Sequence, residues 1–113
     1  MDYQSLSIGE KRMYTVFSTF IVPADKSEEV IDIYRNRSRS VDEADGFLDF
    51  FLLQNDKQPG ELTVQLIFRT KTDYLNWVRS GDFKRIHELE KKYPDRELAG
   101  IIPTVSQYKV VAQ

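Results

Sequence analysis

The side chains best suited to chemistry crowd into one stretch, Tyr74 to Tyr93, which holds the only Trp and the only His of the chain. Tyr74, Trp77 and Val78 recur at helical spacing, and after a break at Ser80-Gly81 a second run carries Phe83, Ile86 and Leu89. Two short helices meeting at a bend fit this pattern. His87 follows Ile86 and lies four residues after Phe83, so its imidazole emerges at the edge of the apolar stripe, one turn above Phe83. Neutral His is the common nitrogen ligand of iron, and a metal carried in a hydrophobic cofactor needs such a nitrogen beside aromatic surface. A lone helical His is more often a surface or hydrogen-bonded boundary residue, so spacing alone leaves both roles open.

The block Trp77-Val78-Arg79-Ser80-Gly81-Asp82-Phe83-Lys84-Arg85-Ile86-His87 resembles the W-hydrophobic-basic-S-x-x-F-K-x-x-H signature of the IsdG-type haem-degrading monooxygenases. These belong to the wider antibiotic biosynthesis monooxygenase superfamily of dimeric α+β barrels. The Trp-to-His spacing matches without a gap. The likeness runs over most of the chain, from Tyr14–Val22 through Gly46-Phe47 and Leu62–Phe68 to Val105–Val111, but only the Trp…Phe-Lys…His block is specific.

The resemblance implies haem b as both cofactor and substrate, with His87 as the proximal iron ligand. It implies Trp77 against the porphyrin, helping to distort it, and Phe83 as a wall of the pocket. With O2 and an external reductant or electron-donor partner, such an enzyme hydroxylates a meso carbon, opens the ring and releases iron. The family also places an Asn on the first strand, hydrogen-bonded to the distal ligand. That position falls on Ser18 here, or on Thr19 if the strand slips by one. A Ser hydroxyl donates one hydrogen bond with a shorter reach, bridged by water. Three function classes follow: a haem-degrading monooxygenase acting through Ser18, Trp77 and His87; a haem-binding or haem-sensing protein with little turnover; and a cofactor-independent relative acting on a quinone or polyphenol. No second His and no Cys exists, which leaves Met13 or Met1 as the only substitute axial ligands.

These residues need elements to hold them. Tyr14, Val16, Ser18, Phe20 and Val22 alternate with Thr15, Phe17, Thr19 and Ile21, which predicts a strand apolar on both faces and ended by Pro23. Asp25 or Ser27 caps a helix whose apolar positions run from Val30 toward Val41. Arg35, Arg37 and Arg39 close that segment as a basic helix end; the functional alternative is an anion clamp, with Arg35 and Arg37 on the haem propionates. In Phe47–Gln54 a second two-sided strand sets Phe47, Asp49, Phe51 and Leu53 against Leu48, Phe50 and Leu52. The turn formers Asn55 to Gly60 make a hairpin with Leu62–Arg69, and a last strand spans Thr104–Val111. The order is βαββαβ, an α+β ferredoxin-like unit with an antiparallel sheet. Helices cover one face of such a sheet, so a homodimer pairing the two apolar open faces is expected, forming a dimeric α+β barrel.

With 113 residues the chain is one domain, 13–113, behind a polar extension, 1–12. Sixteen basic against eighteen acidic residues leave a net charge of -2, which speaks against nucleic-acid and membrane partners. The absence of Cys excludes disulfides, iron–sulfur clusters and thiolate zinc sites. The opening residues have neither the basic start nor the apolar segment of a signal peptide, so a cytoplasmic location is expected.

Overall fold

The computed structural model describes residues 12–113. The expected extension, residues 1–12, lies outside the described part apart from Arg12. The elements are β1 (Tyr14–Ile21), α1 (Ser27–Arg35), β2 (Phe47–Gln54), β3 (Glu61–Phe68), α2 (Lys71–Val78), α3 (Gly81–Lys91), α4 (Arg96–Ala99) and β4 (Thr104–Lys109). The four strands form one sheet in the order β2-β3-β1-β4, antiparallel throughout. This is the ferredoxin-like α+β unit, with a bent helix pair, α2 and α3, in place of its second helix and one extra helical turn, α4.

The helices cover one face. There, Tyr14 and Val16 of β1, Phe68 of β3 and Tyr74 and Trp77 of α2 form one core cluster with Val41. A second cluster joins Val22, Val30 and Leu62, with Phe20, Tyr34, Leu98 and Ile101 packed around it. The other face carries Phe17, Thr19, Thr63 and Tyr108 around an open hollow of about 520 Å³. Phe17 meets Tyr108 there edge to face, with centroids 5.8 Å apart. Phe51, Leu53 and Tyr108 are exposed.

Four local expectations need correction. The helix α1 ends at Arg35 rather than toward Val41, and Arg39 adopts a left-handed φ of 61°. Arg37 and Arg39 therefore lie in a loop, because the Asn36-Arg37-Ser38-Arg39 run has no apolar face to dock. Neither Asp25 nor Ser27 caps the helix; Ser27 is buried and its Oγ donates to the Pro59 carbonyl at 2.9 Å, tying α1 to the β2–β3 hairpin. In β2 a register shift between Phe47 and Asp49 breaks the simple alternation. The bulge turns Phe47 onto the core face, where it meets Phe68 edge to face at 5.8 Å, while Phe50 and Leu52 still face the helices. The last strand closes two residues early, at Lys109.

Two devices fix the bent pair on the sheet. Thr70 caps α2, its Oγ1 accepting from the Asp73 N–H at 3.1 Å. Gly46, at φ 78°, lies so close to Asp73 that a Cβ would run into that carboxylate, so glycine is required at the entrance to β2.

Candidate functional site

The bend between α2 and α3 is built by Ser80. Its Oγ donates to the Trp77 carbonyl at 2.6 Å and accepts from the Phe83 N–H at 3.2 Å, so one hydroxyl ends the first helix and caps the second. Trp77, 7 % exposed, is thereby pinned in the first core cluster. Phe83 is half-buried and meets Trp77 edge to face, centroids 6.0 Å apart. One turn further on, the His87 ring lies 4.2 Å from the Phe83 ring, inclined at 61°. Trp77, Phe83 and His87 thus form a continuous row, from the core outward.

His87 stands at the outer end of that row, its side chain 51 % exposed. Its Nδ1 pairs with Glu90 Oε1 at 3.2 Å. That approach is an ion-pair contact, and no hydrogen bond among the described residues occupies Nε2. Burial first, and the Glu90 carboxylate second, push the Tyr34 phenol up to about 12. Tyr34 in turn stacks on Phe20 and Phe50, with centroids 6.2 Å away in each case.

Ser18 has the parity of Tyr14 and Val16 along β1 and so lies on the helix-covered face, whereas Thr19 opens onto the opposite hollow. In the sheet Ser18 is level with Val64 of β3 and Val105 of β4. None of the three belongs to either core cluster, and Val105 is 51 % exposed. Ser18 and Val64 are half-buried, and the row becomes exposed at Val105 on the β4 edge. No described residue bonds the Ser18 hydroxyl. No hydrogen bond among the described residues joins Ser18 to Trp77 or His87.

The two arginines do not converge. Arg35 is exposed and pairs with Asp32 at 2.8 Å. Arg37 pairs with Asp42 at 3.0 Å and lies 3.8 Å above the Phe50 ring. An anion clamp made by both would require these pairings to open.

The sequence pattern of the antibiotic biosynthesis monooxygenases matches residues 13–89. The chain belongs to that family. No curated protein matches it. Among solved structures, a Bacillus cereus protein provisionally assigned to the antibiotic biosynthesis monooxygenases is 17 % identical, covering 90 % of this chain and 96 % of its own, with a TM-score of 0.70. The haem degrader MhuD of Mycobacterium tuberculosis, solved with two haems in its active site, is 18 % identical, covering 89 % and 97 %, with a TM-score of 0.68. A conserved protein of Methanosarcina mazei is 19 % identical over 95 % and 97 %, with a TM-score of 0.66. At these identities the likeness concerns the fold.

Within this monooxygenase scaffold the donor set suits a metal that brings its own equatorial ligands. The described residues include no group of three or more His, Cys, Asp or Glu able to hold a bare ion. They do offer one imidazole with an open Nε2, an aromatic row behind it and a half-buried Ser18 hydroxyl on the helix-covered face of the sheet. Haem fits that chemistry: His87 would ligate it and Trp77 and Phe83 would pack against it. Sequence reasoning missed Glu90, although its place three residues after His87 was readable; it is one acid in the charged run Glu88 to Lys92. Ser80 was noted as part of a motif, but its role as a cap was not. No helix among the described residues is long and apolar enough to cross a membrane.

Proposed function

We propose that this antibiotic biosynthesis monooxygenase is a haem-degrading enzyme that binds haem b through His87 and opens the porphyrin, releasing iron. The observation that carries the reading is the unbonded Nε2 of the single imidazole, placed at the end of the Trp77–Phe83 row. Haem supplies the redox chemistry when bound, with O2 and electrons from an external donor. The protein's own contribution is threefold. His87 Nε2 holds the ligand, and Phe83 fixes the imidazole plane from one side. Trp77, buried and locked in the core by Ser80, backs Phe83 from behind, and its side chain must open from that cluster for a macrocycle to lie against it. Ser18, with its unused hydroxyl on the same face of the sheet, donates the distal hydrogen bond. MhuD, a haem degrader solved with two haems in its active site, shares this fold and is a precedent for haem in such a scaffold. A homodimer through the open sheet face completes the protein, since Phe17, Phe51 and Tyr108 there have no cover of their own.

The reach of Ser18 favours one second reading, a haem-binding protein with little turnover: a hydroxyl stops one bond short of an amide and works through water. Incubation with haemin, oxygen and a reductant separates the two. Decay of the Soret band with release of iron is expected; a stable band assigns the protein to binding alone, and no band at all overturns both.

A further inference from the structure

We propose that Glu90 is the positioning residue of His87, accepting the Nδ1–H so that the imidazole is held with its Nε2 lone pair directed away from α3 as a ligand. The inference rests on the reading of His87 as the haem ligand and deepens it. Its basis is a pair of restraints on one ring. Phe83, four residues before, touches the imidazole from one side at 4.2 Å, and Glu90, three residues after, meets its Nδ1 at 3.2 Å on the other. Both lie along one face of α3, one turn to either side of His87.

Stability does not explain the pair. The two side chains are 51 % and 56 % exposed, and an exposed contact of this kind on a helix contributes about 0.3–0.5 kcal/mol or nothing measurable. Its chemical consequence is larger. A carboxylate on Nδ1 selects the tautomer in which Nε2 is unprotonated and raises the basicity of that nitrogen, and loss of such a partner costs a metal-ligating His about 10–100-fold in affinity. The neighbouring acid cannot serve in its place, because Glu88 turns to Lys91, with a contact at 3.5 Å.

The test uses the full chain as wild type, Glu90→Ala, Glu90→Gln and His87→Ala. Nitrogen-15 NMR of the haem-free protein at mildly alkaline pH reads the tautomer: the wild type shows Nδ1–H and a bare Nε2, and Glu90→Ala shifts the balance toward Nε2–H. Haemin titration then shows affinity lowered about 10–100-fold in Glu90→Ala, with Glu90→Gln between it and wild type. The midpoint potential of the bound haem rises in both variants, because the charge that favours ferric iron is gone. If Glu90→Ala matches wild type in tautomer, affinity and potential while His87→Ala loses coordination, the positioning role is overturned and the ligand stands. An unchanged spectrum in His87→Ala instead overturns the ligand assignment on which the proposal rests.

Discussion

Phe83 and His87 lie one turn apart on α3 with their rings 4.2 Å from centroid to centroid, and the same Phe83 ring meets Trp77 at 6.0 Å on its other side. The spacing from Trp77 to His87 is thus a chain of contacts. Three steps along the chain lead from Trp77 to Ser80, whose hydroxyl reaches back to the Trp77 carbonyl; three more reach Phe83, whose N–H that hydroxyl accepts; four more reach His87. A change in any one interval would leave the imidazole on another face of the helix.

Replacing Ser80 by Ala removes the shared cap. The protein is expected to lose about 1 kcal/mol of stability in urea denaturation, with Ser80→Asp recovering most of it, since Asp caps as well as Ser. Haem affinity should fall with stability in Ser80→Ala, because Trp77 and Phe83 are aligned across this bend. Equal stability in Ser80→Ala and wild type would show that the cap is dispensable.

Ser18→Asn lengthens the distal donor by one bond and restores an amide. Under the proposed function, the rate of Soret decay with a reductant should rise several-fold, while the affinity for haemin changes little. Ser18→Ala should slow it. If neither substitution moves the rate, the Ser18 hydroxyl is not the distal donor, and the strip at Val64 and Val105 is mere surface.

The segment before β4 is strapped to the start of α1 by Lys26, which contacts Asp95 and Glu97 at 2.8 Å each, and by Tyr93, whose hydroxyl donates to Glu29 at 2.7 Å. Lys26, and then the Leu98 N–H, hold the Asp95 carboxyl below its ordinary range. A depressed folded value means that the contribution is complete above the unfolded value and is lost as pH falls through the folded one. Lys26 is raised by the same partners, so its share persists through neutrality and fades only in strong alkali. Thermal melts of wild type should therefore decline more between about pH 5 and about pH 3 than those of Asp95→Asn. Parallel declines would dismiss the strap as a source of acid sensitivity.

Much of the fold is legible in the sequence because the strands β1 and β3 alternate cleanly and the turn formers between Asn55 and Gly60 are dense. The bend at Ser80-Gly81 is legible for the same reason, as a break between two apolar stripes. The β2 strand is legible in its bounds, but the side that Phe47 takes is not, since a single bulged residue after it reverses which side faces the core without altering composition. Nor is the end of α1: charge on Arg35 to Arg39 fits a dipole-stabilised helix terminus, and only the lack of a docking face stops the helix there. At the site, the row Trp77–Phe83–His87 follows from spacing within one stretch. The level of Ser18 with Val64 and Val105 does not, because it depends on the pairing of three distant strands.

The open face of the sheet makes a separate claim. Light scattering at micromolar concentration should give a dimer, and Tyr108→Asp, which places a charge beside Phe17 in the hollow, should weaken it at least about tenfold. A monomeric wild type would contradict the homodimer.

Titration of haemin into wild type and His87→Ala tests the central claim most directly. Wild type should yield a saturable Soret band with the ferric spectrum of a His-ligated haem. His87→Ala should keep its fold by circular dichroism, since a half-exposed imidazole contributes little packing, and should lose both that spectrum and all degradation. Haem bound by His87→Ala with unaltered spectrum and affinity would contradict the assignment and favour a monooxygenase of this family that works without haem.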